Sequence, residues 1–325
     1  MNNHLFLCHS NFHVFQSKEI LKKIENGKFY LAHENLVNPS YFKGFDDSIK
    51  LENTLGSVRN KKCNLIAVSQ IKKFCERKKV DKIYLSDIDW PLNNLIFFDR
   101  FFVNIEFIFI SDGIGSYFDK RVSLPSYLKM VLKFTSSMLG FSTPYRPFYG
   151  HYLGYSQKRV NKIYALNVEK IAFDGIKENL YLNHDLSAIS TSRNRVLILS
   201  QPMWILWGWD KWIDYVSKQV AYVKLKHPNN TLLVKMHHRS DQREIEEYLK
   251  LKIKVINDNV CAEEYVVNNN VGYVYSYLSS ALLHIKWVSG ELISVTSIID
   301  TNVDSEENRD TVTLLSHNGV NIVEV

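Results

Sequence analysis

Phe107-Ile108-Phe109-Ile110-Ser111-Asp112-Gly113-Ile114-Gly115-Ser116-Tyr117 is the stretch whose reading decides the fold. Four apolar residues run without interruption into an acid, and two glycines follow. An unbroken apolar run suits a strand covered on both faces, as in a parallel sheet, better than the in-out alternation of a half-exposed strand. Gly113 and Gly115 then permit a sharp turn, because glycine tolerates positive φ. Asp112 is expected at the carboxyl end of that strand, the edge where open α/β sheets bind ligands. An aspartate there can also simply cap a turn or a helix, and both roles stay open at this point.

Upstream, Leu5 to Cys8 reads as a strand, His9 to His13 as a polar loop and Val14 to Ile24 as a helix. Phe29 to Ala32 reads as a strand, Asn38 to Asn60 as irregular, Leu65 to Lys78 as a helix and Lys82 to Leu85 as a short strand. A helix starting at Pro91 and running through Leu92 to Phe102 leads to the focal strand. Downstream, a basic segment broken by Pro125, Pro144 and Pro147 precedes a Ser-rich stretch, Asp185 to Arg195, expected to be a linker. The alternation then restarts. Strands are expected at Val196 to Leu199, Leu232 to Val234, Val255 to Ile256, Val271 to Tyr275, Leu292 to Ile299 and Val320 to Val325. Helices are expected at Asp210 to Lys226, Asp241 to Leu249, Glu263 to Val267 and Ser279 to Trp287. Strand-helix alternation predicts an α/β protein with parallel sheets. The expected division is residues 1–190 and 191–325, two Rossmann-like domains facing across a cleft.

Composition agrees with this. A chain of 325 residues with 46% hydrophobic and 23% charged residues has room for two globular cores. Cys8, Cys63, Cys75 and Cys261 form no C-x-x-C pair, which excludes a zinc ribbon or thioredoxin motif and fits a reducing, cytoplasmic compartment. The start, Met1 to His9, lacks the basic flank and apolar length of a signal peptide. No apolar run reaches the length of a membrane span; the longest candidate, Leu95 to Ile110, is interrupted by Asp99, Arg100 and Glu106.

The net charge of +6 is unevenly spread. From Lys120 to Val168 there is no Asp or Glu, while Lys120, Arg121, Lys129, Lys133, Arg146, Lys158, Arg159 and Lys162 alternate with apolar and aromatic residues. Such a segment suits a peripheral contact with an anionic membrane surface, or a solvated basic face over an ordinary core helix. No nucleic-acid-binding motif accompanies the charge.

Three further strand ends carry polar groups. Lys235-Met236-His237-His238 ends one strand; Lys235 is placed on the side of His237, and a histidine there can donate a proton or set a positive charge beside a leaving phosphate. Adjacent His237 and His238 would face opposite ways, which argues against a zinc site. Ser276-Tyr277-Leu278-Ser279-Ser280 offers two hydroxyls and free backbone N–H groups at a helix start, an anion site or an ordinary cap. Glu263 and Glu264 open a short helix, where a carboxylate can bind a ribose diol or favour the helix dipole.

At these residues the chain resembles the bacterial sialyltransferases of GT-B architecture, the lipooligosaccharide, capsule and polysialyltransferase types. That family combines a D/E-D-G motif in the first domain with K-x-H-P and a Ser-Ser pair in the second. Ser111-Asp112-Gly113 matches the first with Ser for its leading acid, Lys235-Met236-His237-His238 matches the second with His for proline, and Ser279-Ser280 matches the third. His227-Pro228 lies before the strand and is not the motif.

The resemblance implies inverting transfer of sialic acid from CMP-sialic acid to a terminal sugar hydroxyl, expected to be galactose, on a bacterial surface glycan. The acceptor would be an oligosaccharide or a lipid-linked glycan. It implies Asp112 as general base and His237 as acid or phosphate partner. Lys235, Glu263, Glu264, Ser279, Ser280 and Gly113 would line the donor site. The loop residues His9, Ser10 and Asn11, at the end of the first strand, could hydrogen-bond the donor sugar or form a plain loop. The leaving group would be a monophosphate, which a histidine and two serines can serve, so neither metal nor cofactor is expected. Trp204 and Trp207, after a strand, could stack on the acceptor sugar or serve packing. The competing readings are a GT-B enzyme using another nucleotide sugar, a CMP-Kdo-like or UDP donor, and a non-catalytic scaffold at the membrane surface.

Overall fold

The computed structural model describes residues 2–33, 39–51, 61–138, 145–180, 194–237, 239–256, 258, 260–300 and 308–325. The chain forms two compact units, residues 1–182 and 183–325. The expected boundary at 190/191 and most of the expected linker lie outside the described residues, as does His238.

The first unit runs β1 (Asn2–Cys8), α1 (Asn11–Leu21), β2 (Gly27–His33), β3 (Asp47–Lys50), α2 (Lys61–Lys78), β4 (Lys82–Leu85), α3 (Pro91–Phe98), β5 (Glu106–Ile110), α4 (Leu124–Met138), β6 (Val160–Ala165) and β7 (Ile176–Asn179). Its described strands form one parallel sheet in the order β3-β2-β1-β4-β5-β6-β7. The focal stretch is a central strand, and Phe107 to Ile110 are all buried. Phe97 of α3 packs 4.9 Å from the Phe107 ring. Arg159 lies over both rings and donates to the carbonyls of Phe97 and Phe102, groups that a helix end leaves without intrahelical partners. Fully burying one such aromatic contributes about 1.5–3 kcal/mol.

The second unit runs β8 (Arg195–Leu199), α5 (Trp204–Trp207), α6 (Trp209–Lys226), β9 (Thr231–Lys235), α7 (Gln242–Lys250), β10 (Lys254–Ile256), α8 (Ala262–Asn268), β11 (Val271–Ser276), α9 (Ser280–Ser289), β12 (Ser294–Ile299), α10 (Arg309–His317) and β13 (Asn321–Glu324). Its described strands are parallel in the order β10-β9-β8-β11-β12-β13. α6 turns Trp212, Tyr215, Val216, Val220 and Val223 into this unit's core. α7 opens on a capping box, Asp241 with Glu244.

Several elements depart from the sequence expectation. β3 and β7 are short, polar strands, and an apolar-run criterion passes over them. They lie at the two edges of their sheet, where burial is one-sided. β6 hides in the basic segment, and α10 follows a region without hydrophobic periodicity. α4 is one continuous helix, because Pro125 occupies its second position, where a missing N–H breaks no intrahelical bond. α1 begins at Asn11, so the expected His9–His13 loop does not exist as such.

The topology locates the functional edges. In the first unit the chain goes from β1 to β2 on one side and returns to β4 on the other, so the carboxyl ends of β1 and β4 border the switch point. In the second unit β8 and β11 do the same. Every motif residue singled out in the sequence follows the carboxyl end of a strand or the helix start just beyond it.

Candidate active site

The edge of the first unit is built from the ends of β1, β4 and β5. Ser111 extends the ladder, its N–H donating to Tyr164 O at 2.8 Å, and Asp112 follows. The Asp112 N–H donates to Ser116 Oγ at 2.7 Å, and that hydroxyl donates back to Asp112 O at 2.9 Å. Ser116 Oγ also lies 2.7 Å from Tyr155 Oη, so the phenol is the donor there, the serine proton being used. Between them Gly113 has φ 57 and ψ −168, a conformation only glycine adopts without strain. The loop thus holds the Asp112 backbone while its side chain stays 45% exposed.

His13, buried on α1, places Nε2 3.0 Å from Asp112 Oδ1. This is ion-pair distance, with no hydrogen bond formed between the two atoms. Nδ1 of the same ring accepts the His9 N–H at 3.3 Å, so a neutral ring carries its proton on Nε2, toward the carboxylate. Ser10 is the N-cap of α1 and accepts the His13 N–H at 3.2 Å. His9 Nε2 lies 2.8 Å from Asn93 Oδ1, which holds the other ring.

A second carboxylate follows β4. Asp87 is buried, accepting from Trp90 N–H at 2.7 Å and Ser86 Oγ at 2.8 Å. Burial first, then the nearby charge of Asp112, push its carboxyl above the usual range. Burial and the same two carboxylates push the Tyr152 phenol up to about 12. Asp87 is enclosed and committed to structure; Asp112 is the carboxylate a substrate can reach.

The edge of the second unit has different chemistry. β9 ends at Lys235, whose ammonium pairs with the Asp258 carboxylate and lies 5.5 Å from the Tyr265 ring. His237 follows in a turn closed by Ser240 N–H on His237 O at 2.9 Å. Its Nδ1 accepts the Arg239 N–H at 3.2 Å, so a neutral ring presents its proton on Nε2. Ser276 Oγ donates to Leu199 O at 2.9 Å and stitches the switch-point strands together. Ser279 caps α9, accepting the Ala281 N–H at 3.3 Å and Gln201 Nε2 at 3.1 Å, and Ser280 is the first helical residue. Leu278, just before this cap, has φ 31, a strained conformation for leucine of the kind that clusters at functional sites.

Several expected residues have structural partners. Glu263, in the first turn of α8, is buried 2.9 Å from His284 Nδ1; Glu264 beside it is half-buried. Trp204 donates to Glu244 at 2.7 Å and stacks on Trp209 at 4.6 Å, and Trp207 meets Tyr215 and Tyr277 edge-on. These tryptophans do pack within their own unit. Ser10 and Asn11 are a helix cap and a first helical residue, not loop residues. Among the described residues no group of three His, Cys, Asp or Glu side chains is placed to hold a metal ion. No described helix is long and apolar enough to cross a membrane.

Sequence reasoning passed over His13, Gln201 and Glu244. Glu244 is wholly buried and accepts from Ser200, Ser240 and Trp204, tying the end of β8 to the turn after His237. The available signal was position: His13 stands four residues after His9, and Gln201 two after the end of β8.

Two parallel α/β units with polar groups at their switch points are the architecture of the GT-B fold. A family model described as alpha-2,8-polysialyltransferase matches residues 5–298, and the chain belongs to that family. It is a glycosyltransferase, and the family and fold together support sialyl transfer. Among solved structures it is similar to the alpha/beta-galactoside alpha-2,3-sialyltransferase of the luminous marine bacterium Photobacterium phosphoreum, with TM-score 0.57, 10% identity, and 99% of this chain and 98% of that one covered. The GT-B domain of a Photobacterium damselae sialyltransferase matches with TM-score 0.54, 10% identity and full coverage of both chains. The Methanocaldococcus jannaschii UDP-GlcNAc 2-epimerase matches with TM-score 0.53 and 14% identity over 100% of this chain and 89% of that one. No curated protein sequence matches the chain.

Proposed function

We propose that this protein transfers sialic acid from CMP-sialic acid, with inversion, to a hydroxyl at the end of a bacterial surface glycan. The observation that carries the reading is the half-open carboxylate of Asp112, held by its loop and faced by His13 at the switch-point edge. Asp112 takes the acceptor hydroxyl's proton as its oxygen bonds to the anomeric carbon. The bond from that carbon to the phosphate oxygen breaks, and CMP leaves with the electron pair. His237 gives a proton or a positive charge to that phosphate. Ser279, Ser280 and the N-terminus of α9 hold the phosphate oxygens. Lys235, Glu263 and Glu264 border the nucleoside, and His13 orients Asp112.

The donor carbon is tertiary and bears a carboxylate, so its transition state is oxocarbenium-like and asks little of the nucleophile. A monophosphate leaving group needs less charge neutralisation than a diphosphate, and the reaction is expected to run without metal. A diphosphate donor is the alternative, favoured by the likeness to an epimerase solved with UDP-GlcNAc and UDP. For the acceptor, the family's name supports a sialic acid terminus, grown through its 8-hydroxyl, over galactose. α4, with Lys129 and the exposed Lys120, Arg121 and Arg146 around it in the acid-free segment 120–168, is the face that would meet an anionic membrane surface, where a lipid-linked acceptor is presented.

The test is CMP release and product mass with CMP-sialic acid in EDTA, using acceptors ending in sialic acid or in galactose. Turnover with either acceptor that is lost in Asp112→Ala supports the reading. Turnover only with UDP-sugars, or only after adding a divalent metal, overturns it.

A further inference from the structure

α4 turns its apolar side outward. Leu124, Leu128, Leu132 and Met138 are 69%, 53%, 69% and 73% exposed, and Ser137 is the one buried residue of the helix. At the helical period these four share, with Val131 and Thr135, an arc of about 120°. Single exposed leucines are ordinary; a stripe about four turns long is not. α6 shows the usual arrangement in the same molecule, its apolar side packed inward. The two helices differ in charge as well. α4 carries Lys129 and Lys133 and no acid, and Lys120, Arg121 and Arg146 are exposed in the chain around it.

We infer that α4 is an interfacial anchor. It lies along an anionic bilayer with Leu124, Leu128, Leu132 and Met138 among the acyl chains and Lys129 with the neighbouring cations at the lipid phosphates. Charge chooses this occupant over a second copy of the chain. Two such faces would set Lys129 and the exposed Lys120, Arg121 and Arg146 around it against their like, with no acid on either helix to pair them. At 15 residues the helix is too short to cross a bilayer, which needs about 20. The inference builds on the membrane-surface part of the proposed function and is independent of the transfer chemistry.

The test is flotation of the full chain with phosphatidylcholine vesicles, with and without phosphatidylglycerol, alongside sedimentation velocity without lipid. The wild type is expected to float with phosphatidylglycerol vesicles and to bind pure phosphatidylcholine at least about tenfold more weakly. A Leu128→Glu, Leu132→Glu double variant should lose at least about tenfold in binding. Its melting temperature and its transfer to a soluble acceptor should be unchanged, since both side chains face water. Wild type that ignores phosphatidylglycerol vesicles, or a double variant that binds undiminished, overturns the inference. A dimer that the double variant dissolves, without vesicle binding, assigns the face to a second copy instead. Vesicle binding with no sialyl transfer would sink the proposed function and leave the anchor standing.

Discussion

The carboxyl edges of the two sheets share a topology and carry different chemistry. In the first unit the switch point is lined by carboxylates and imidazoles: Asp87, Asp112, His9 and His13. In the second the carboxylates are engaged, Asp258 with Lys235 and Glu244 with Ser200, Ser240 and Trp204, and the edge adds His237, Ser279, Ser280 and the start of α9. The same backbone arrangement therefore carries a half-exposed carboxylate on one sheet and a serine-capped helix start on the other. The difference lies in the one or two residues that follow each strand.

That contrast breaks most visibly at Asp112. Asp112→Ala should lower the transfer rate by about 10²–10⁴-fold while leaving the melting temperature unchanged, because the side chain is half exposed and the loop is held through backbone and Ser116. A rate equal to wild type would place the base elsewhere. On the opposite edge, His237→Ala should cost about 10²–10³-fold in kcat, read from CMP release. If both variants kept full activity, the scaffold reading would take over.

His13 sharpens the comparison within the first edge. If it orients Asp112, His13→Ala lowers kcat by about ten- to a hundredfold and leaves the KM for CMP-sialic acid alone. His13→Gln, whose amide can still face the carboxylate, should recover part of that loss. An equal rise in KM would point to donor binding instead.

Ser279→Ala removes a cap and the Gln201 contact together. It should cost about 1 kcal/mol of stability and raise the donor KM. A pure cap would show the stability loss alone.

The smallest effect concerns Asp87. Its carboxyl is raised in the folded state, so the native protein keeps a proton that the unfolded chain releases. Stability from this group therefore falls as pH rises from the ordinary carboxylate value to the raised one, and stays lower above it. Asp87→Asn should flatten that part of the curve of melting temperature against pH, leaving it higher than wild type near neutrality. A slope identical to wild type would mean that Asp87 is ionised when folded.

The central strands could be read directly, since β1, β4, β5, β8 and β11 are apolar runs that two-sided burial demands. The edge strands β3 and β7 could not, because one-sided burial leaves no such run. Asp112 stood out because glycine follows it, and His237 because lysine precedes it. His13 did not, because nothing local distinguishes a histidine beside a carboxylate nearly a hundred residues away from one in a polar loop. The same limit hid the orientation of α4. Its basic, apolar composition suits an outward or an inward leucine face equally well, and the burial of Ser137 decides for the outward one.

By itself, then, the order of apolar runs, glycines and polar strand ends determined an α/β chain with two sheets and the positions from which chemistry could emerge. Short-range sterics and burial write those features into neighbouring residues. Which strands became neighbours, and so which side chains meet at a switch point, was decided only by tertiary structure. Parallel pairing joins residues across long stretches of chain, and the contacts His13–Asp112 and Gln201–Ser279 exist only once those pairings have formed.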